Sequence, residues 1–179
     1  MTGEDERLDP TIFRSTEPLK LYRIARLKYA NLSGVGAALY PGRWNRLGQE
    51  AIYTSTDPGT PVLERLVHTP KTMIPSNLAI MQILLRRSSD SPETQIKAVS
   101  NRNWMLICPT LKYARDAFQD ISSARLSKLI ALALPSVVTS SWNVVLYPDS
   151  PGFWDRVSLH NVKQFEFDPR LFPEHTPSE

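Results

Sequence analysis

The spacing of apolar residues along the chain predicts several short β-strands and few helices. Strands are predicted over residues 19–26, 51–55, 78–85, 104–108, 142–147 and 162–167. The segment 78–85 is apolar on both alternating faces, which is typical of a central strand covered on two sides. In the last predicted strand, Phe165 and Phe167 lie on one face. Residues 113–132 are predicted to form one or two helices, and residues 28–49, rich in Gly, Asn and Ser, a structured loop with a helical turn.

A further helix is predicted to begin at Asp57 and Pro58, because aspartate is a favoured N-cap and proline suits the first helical position. The apolar stripe of this helix consists of Val62, Leu63, Leu66 and Val67. Glu64 lies off the stripe. We therefore expect the helix to bury Leu63 and Val67 while it presents Glu64 to a neighbouring cleft.

The order of these elements predicts the fold class. Short strands mixed with a few helices, without regular alternation of strand and helix, indicate a single α+β domain over residues 19–170. Residues 1–18 and 171–179 are expected to be a flexible leader and a flexible tail. The chain contains no G-x-G-x-x-G or Walker loop, so a dinucleotide would not bind in a Rossmann crevice.

The composition of the chain narrows the range of functions that it could have. A chain of 179 residues with 41% hydrophobic residues suits one domain with a sizeable core. The net charge of +3 comes from scattered residues rather than a basic stripe, which argues against direct nucleic-acid binding. The acidic start and the short apolar run at 129–138 argue against a signal peptide or a membrane span, so a cytoplasmic protein is expected. The one cysteine, Cys108, is expected to be a buried thiol, and His68 to support the helix rather than to bind a metal.

Four groups of residues carry a more specific signal. They are LYRIAR (21–26) with LSGVGA (32–37), PGRWN (41–45), IYTS (52–55) with VLERLVH (62–68), and LPSVV (134–138) with WN (142–143). In this order the motifs resemble the RES domain of bacterial toxin–antitoxin pairs, a family whose name records an Arg, a Glu and a Ser. The resemblance covers roughly residues 20–170.

The resemblance implies an ADP-ribosyltransferase-like mixed sheet core with flanking helices. It also implies cleavage of the nicotinamide–ribose bond of NAD⁺, which would be a substrate and not a cofactor, by phosphorolysis or hydrolysis. The implied partner is a helix-turn-helix antitoxin of the Xre type that blocks the site; a homodimer within the complex stays open. Two alternatives also stay open: transfer of ADP-ribose to a macromolecule, and a non-catalytic module that binds NAD⁺.

The catalytic residues that the resemblance implies are Arg43, Tyr53, Glu64 and Ser136. Cleavage of the glycosidic bond develops positive charge on the ribose, and a fixed carboxylate such as Glu64 would stabilise that charge. Arg43 would grip the diphosphate, because a guanidinium offers a fork of donors. Tyr53 would position the nicotinamide ribose, and Ser136 would orient the substrate rather than act as a nucleophile, since no Ser-His-Asp spacing is present.

Five more residues are expected to bind substrate: Tyr22, Arg23, Trp44, Asn45 and Asn143. Arg23 would be a second contact to the diphosphate. Asn143, at the start of a strand, would bond to the substrate or close a turn.

Each of the implied catalytic residues also has an ordinary structural interpretation. They would be a surface arginine, a core tyrosine, a helix glutamate paired with Arg65 or His68, and a serine that bonds to the backbone beside Pro135. Three departures from the family pattern lie near the expected rim of the site: Pro41 in place of a glycine, a long 104–135 segment, and the residues 147–150. They leave the activity level and the match to an antitoxin open.

Overall fold

The computed structural model describes residues 17–70, 75–86, 96–98 and 129–172. Within these residues seven strands form one sheet: β1 (Leu19–Arg26), β2 (Ile52–Ser55), β3 (Leu78–Leu85), β4 (Ile96–Ala98), β5 (Ala131–Pro135), β6 (Trp142–Leu146) and β7 (Val157–Phe165). The helices in this part of the chain are α1 (Val35–Leu39), α2 (Gly59–Val67) and α3 (Phe153–Arg156), with 3-10 turns at Leu27–Tyr29 and Pro169–Leu171.

The sheet has the strand order β4-β5-β6-β2-β1-β3-β7. The β4–β5 pair is parallel and the other pairs are antiparallel. In the described residues helices do not alternate regularly with strands, and the predicted α+β class with a mixed sheet is confirmed.

Two apolar layers cover the two faces of the sheet. Alternate side chains of each strand point to opposite faces, so Leu21 and Met81 share one layer with Ile52. The short helix α3 closes this layer with Phe153, which is fully buried. The opposite layer is smaller and includes Leu132 and Leu134 of β5 and Val145 of β6. The candidate site lies on the face of this second layer.

The strand predictions are largely confirmed. β1 has the predicted bounds. β3 is an internal strand, between β1 and β7, but only one of its faces is fully buried, so the predicted cover on both faces is confirmed only in part. The last strand begins at Val157, before the predicted start, and the rings of Phe165 and Phe167 touch edge to face at 5.2 Å.

The predicted helix at 113–132 is wrong at its end, because residues 131 and 132 belong to β5, where hydrogen bonds to β4 and β6 pair the backbone on both sides. The rest of that segment up to residue 128, the predicted strand at 104–108 and Cys108 lie outside the described residues.

The Asp57 side chain caps the start of α2 as predicted, although the helix begins at Gly59 and not at Pro58. The carboxylate of Asp57 accepts hydrogen bonds from the backbone N–H groups of Gly59 at 2.9 Å and Thr60 at 3.2 Å. These two donors have no partner within a helix, so the contacts are those of an N-cap. Partial desolvation acts to raise the pKa of Asp57, but hydrogen bonds from the Thr60 hydroxyl and from the two N–H groups outweigh it and lower the pKa below its usual value.

The predicted buried face of α2 is wrong. Leu63 and Val67 are 42% and 67% exposed, whereas Thr60 is fully buried. The helix is oriented by polar contacts of Thr60 and Glu64, one turn apart on the docked face, and these outweigh the apolar stripe. Only Val62 and Leu66 of the stripe pack, against a cluster of Leu78, Phe167 and Phe172.

The packed region extends past the predicted domain end at residue 170. Phe172, expected in the flexible tail, is 8% exposed, and its ring meets that of Phe167 at 5.8 Å. None of the helices in the described segments is long and apolar enough to cross a membrane.

We expect Asp57→Ala to destabilise the protein by about 1 kcal/mol at neutral pH, because the start of α2 loses its cap. Urea unfolding would measure the change, with Asp57→Asn as a control that keeps one acceptor. The carboxylate has a lowered pKa in the folded state, so its contribution is present above the usual aspartate pKa and is lost as the pH falls through the lowered value. Equal stability of wild type and Asp57→Ala at neutral pH would contradict the capping role.

Candidate active site

A cleft of about 220 Å³ lies between α2 and the face of β1, β2 and β6. Its lining residues are Ile24, Tyr53, Thr54, Ser55, Pro61, Glu64, Arg65, His68 and Asn143. The predicted presentation of Glu64 to a neighbouring cleft is therefore confirmed, although a different face of the helix is buried.

The Glu64 carboxylate is held by two side chains from the β5–β6 hairpin. Its Oε1 accepts a hydrogen bond from the Ser136 hydroxyl at 3.1 Å and another from the Asn143 amide at 2.8 Å. Among the described residues, Oε2 accepts no hydrogen bond. One oxygen thus fixes the carboxylate, and the other remains available to a molecule in the cleft.

Ser136 lies directly after β5 and is completely buried. Its hydroxyl oxygen also accepts hydrogen bonds from the backbone N–H groups of Val138 at 3.1 Å and Thr139 at 3.3 Å. The backbone N–H of Ser136 donates to the carbonyl of Ser141 at 2.8 Å, which closes the hairpin loop. These bonds direct the hydroxyl proton to Glu64, so Ser136 acts on the cleft through that carboxylate.

Ser55 completes this network and was not among the predicted site residues. It stands opposite Asn143 in the β2–β6 register, and its hydroxyl donates to Asn143 Oδ1 at 3.1 Å. The amide is thereby oriented with its NH₂ group toward Glu64. The serine is part of the IYTS motif, but its role depends on a strand pairing that is distant in sequence, which no local pattern reveals.

A second polar contact docks α2 on the same hairpin. The Thr60 hydroxyl lies 2.8 Å from the hydroxyls of both Thr139 and Ser141, and donates to Asp57 at 2.5 Å. Thr60 and Glu64 are four residues apart, so the two contacts lie one above the other on one helix face. The position of the carboxylate is thus set at two consecutive turns.

Asn45 closes the loop that carries Arg43. It is 1% exposed, and its amide donates to the carbonyls of Ala37, Arg46 and Gln49. Its Oδ1 accepts from Gly42 N at 2.8 Å and from the Tyr53 hydroxyl at 2.9 Å. The polar capacity of Asn45 is used within the protein, so it shapes the loop rather than faces the cleft.

Two tyrosines hold the same loop at Trp44. The Tyr53 hydroxyl accepts from the Trp44 N–H at 3.1 Å, and the Tyr147 hydroxyl donates to the Trp44 carbonyl at 2.9 Å. Burial raises the pKa of Tyr147, with a further contribution from Tyr53, so this donor stays protonated. Tyr147 is one of the residues 147–150 that depart from the family pattern, and its hydroxyl anchors the loop at 41–45.

Gly42 is required by the approach of Tyr53. A Cβ atom at this position would overlap the Tyr53 hydroxyl and lie 2.8 Å from Cζ of its ring. The glycine of the PGRWN motif therefore serves the contact between the loop and β2.

Arg23 lies away from the cleft. Along β1 it alternates with Tyr22 and Ile24, so it shares the face of Leu21, and its guanidinium donates to the carbonyls of Asn31 at 3.2 Å and Ser33 at 3.3 Å. Burial lowers the pKa of Arg23 from its usual high value. The structure does not bring this predicted diphosphate contact to the site, because it is used to hold the loop after β1.

Of the remaining predicted residues, one lies on the sheet and two lie in the loop that contacts Tyr53. Tyr22 stands directly across from Ser55 and so lies on the cleft face of the sheet. Trp44 packs on the second apolar layer, and Arg43 precedes it in the loop that contacts Tyr53.

In the described ranges, no group of three or more His, Cys, Asp or Glu residues could hold a metal ion.

Comparison with known proteins identifies the family of this domain. The family model for the RES domain matches residues 20–168. A protein named Toxin Res from Photorhabdus laumondii subsp. laumondii is 32% identical over 161 residues, covering 84% of this chain and 96% of that protein. A Toxin Res from Pseudomonas putida is 29% identical over 155 residues, covering 85% and 99%. The chain belongs to the RES domain family, as its motifs predicted.

A solved structure shares the fold. A chain in the crystal structure of the M. tuberculosis MbcT–MbcA toxin–antitoxin complex superposes with a TM-score of 0.57 at 16% identity, and the match covers 92% of this chain and 96% of that chain. At this identity the likeness shows the fold alone.

We expect Gly42→Ala to destabilise the protein by roughly 1–3 kcal/mol, because the added methyl group displaces the loop from Tyr53. Gly36→Ala is the matched control: a Cβ there meets nothing within 4 Å, and alanine favours the helix α1. Chemical denaturation of both variants measures the difference. A Gly42→Ala protein as stable as Gly36→Ala would show that the close approach to Tyr53 is unimportant.

Proposed function

We propose that this protein cleaves the nicotinamide–ribose bond of NAD⁺, with Glu64 as the central catalytic residue. The observation that carries the proposal is the Glu64 carboxylate, which lines the cleft and, among the described residues, is held by hydrogen bonds to Oε1 alone. Membership in the RES domain family supports the assignment.

The reaction requires stabilisation of a cation. The bond between C1′ of the ribose and the pyridinium nitrogen breaks, and its electron pair leaves with neutral nicotinamide. The ribose passes through a cation-like transition state, which a fixed negative charge stabilises more than it stabilises the ground state. Nicotinamide needs no proton to depart, so one carboxylate suffices and no paired general acid is required.

An acceptor then attacks C1′. Water gives ADP-ribose and releases a proton, and inorganic phosphate gives ADP-ribose 1″-phosphate. Either acceptor would approach a site in which Ser136 and Asn143 keep the carboxylate in place. In this proposal Arg43 contacts the substrate from the loop beside Tyr53, and the Tyr53 ring contacts the nicotinamide ribose from the wall of the cleft.

The biological role proposed is that of a toxin neutralised by an antitoxin. Two relatives are named Toxin Res, and the structural neighbour comes from a toxin–antitoxin complex. The proposed partner is a helix-turn-helix antitoxin of the Xre type that covers the cleft. A cytoplasmic location belongs to the same proposal, because NAD⁺ is an intracellular substrate.

Purified protein incubated with NAD⁺ should release nicotinamide, measured by chromatography. We expect Glu64→Gln to lower the rate about 10²–10³-fold, because the negative charge at the transition state is lost. The glutamine oxygen can still accept from Ser136 and Asn143, so the fold should be retained, which an unchanged unfolding midpoint would verify.

The products separate the competing functions. Phosphate dependence with a sugar phosphate indicates phosphorolysis, and free ADP-ribose without phosphate indicates hydrolysis. A labelled macromolecule after incubation with labelled NAD⁺ would indicate ADP-ribosyl transfer instead. Binding of NAD⁺ without turnover, and identical behaviour of wild type and Glu64→Gln, would indicate that the protein is a non-catalytic binding module.

We also expect Ser55→Ala to lower kcat about tenfold, with little change in KM, because the Asn143 amide loses the bond that orients it toward Glu64. Ser55→Thr keeps the hydroxyl and should restore most of the rate. Ser55 is thus a positioning residue. An equal loss in the alanine and threonine variants would indicate a packing defect instead.

A further inference from the structure

A second, larger cleft adjoins the candidate active site. It has a volume of about 820 Å³ and lies where β1 ends, β3 begins and α2 ends. Its polar and charged lining includes Arg26, Lys28, Arg65, His68, Thr69 and Asn77. The backbone there is tied by a hydrogen bond from Leu27 N to Asn77 O at 2.7 Å, which links the start of β3 to the end of β1.

This second cleft is adjacent to the cleft at Glu64. Arg65 and His68 line both. Glu64 and His68 are separated by about one turn of α2, or roughly 6 Å along its axis. A molecule whose reacting carbon lies beside Glu64 could therefore reach the second cleft with a group one sugar away from that carbon.

The charge of the second cleft is positive. Among the described residues that line it, three carry cationic side chains, Arg26, Lys28 and Arg65, and none is Asp or Glu. Within the described part of the chain, none of the three forms an ion pair. The carboxyl end of α2 contributes about half a negative charge, less than one of these cations supplies. Two of its carbonyls, of Arg65 and Leu66, are moreover bonded to Thr69.

We propose that this basic cleft binds the diphosphate of the dinucleotide, an inference that rests on the proposed function. The scissile bond of NAD⁺ and its diphosphate lie on opposite sides of one ribose, which matches one carboxylate and a cluster of cations one helical turn apart. Arginine pairs well with phosphate oxygens, and an imidazole N–H of His68 adds a donor. Arg23, which lies on the other face of the sheet, cannot serve this purpose.

The test is binding of ADP-ribose, which carries the diphosphate, beside binding of nicotinamide riboside, which carries none, both by calorimetry. We expect Arg26→Glu and Arg65→Glu each to weaken ADP-ribose binding several-fold, and the double variant to weaken it at least tenfold, with nicotinamide riboside affected less than twofold. Added salt should weaken ADP-ribose binding alone. Arg86→Glu is the matched control, because Arg86 is exposed just beyond the far end of β3, nine residues from Asn77.

The outcomes separate this inference from the proposed function. If wild type releases nicotinamide but the double variant binds ADP-ribose as tightly as Arg86→Glu, the basic cleft is not the diphosphate site while NAD⁺ cleavage stands. If ADP-ribose binding is lost in the double variant but wild type releases no nicotinamide, the diphosphate site stands and the cleavage reaction falls. Failure of wild type to bind ADP-ribose would overturn the inference directly. An unchanged unfolding midpoint in each variant ties the losses to the cleft.

Discussion

The hydrogen bonds that Glu64 Oε1 accepts from Ser136 and Asn143 tie helix α2 to the β5–β6 hairpin, and the cleft exists because of that tie. A helix docked by its apolar stripe would lie with Leu63 and Val67 against the sheet, and the carboxylate would turn toward solvent. The observed helix instead buries Thr60 and leaves both apolar residues exposed. Loss of these contacts would leave several buried polar groups without partners, at about 1–3 kcal/mol each, whereas burial of Leu63 and Val67 would gain about 1.5–3 kcal/mol each. The polar contacts together are therefore large enough to decide the orientation. The same contacts that select the fold at this point also fix the chemically useful group.

The loop at 41–45 is held by an equally specific set of bonds. Asn45 bonds to five backbone or side-chain groups around it, and hydroxyls from β2 and from the end of β6 meet the loop on the two sides of Trp44. A loop with so few free polar groups has little entropy left to lose when a ligand binds. Pre-organisation of this kind suits a site that must present a side chain to a reacting sugar without rearranging.

The local sequence predicted the positions of helices and strands well, but it predicted poorly which face of an element is buried. The cap at Asp57, the bounds of β1 and the internal position of β3 follow from patterns of a few residues, and the motif order identified the family. The roles of Ser55 and Tyr147 were not predicted, because each residue bonds to a partner that strand pairing or loop packing brings near it. The periodicity of the sequence does not reveal such contacts. Arg23 illustrates the opposite failure. Its residue type suits a phosphate, but the alternation of β1 directs it to the other face, where backbone carbonyls use its donors.

The helix α2 places opposite charges beside each other without pairing them. Glu64 and Arg65 are neighbours in sequence, and adjacent helical residues point about 100° apart, so the two side chains do not face each other. Glu64 is directed by the hairpin into the smaller cleft, whereas Arg65 borders both clefts. An ion pair between them would neutralise both groups and leave neither available. A substrate that is cationic at its scissile bond and anionic at its diphosphate presents the complementary order of charges. For such a substrate, this segment would need an anionic and a cationic residue at successive positions of a helix whose rotation is fixed, and the hydrogen bonds of Thr60 and Glu64 fix it.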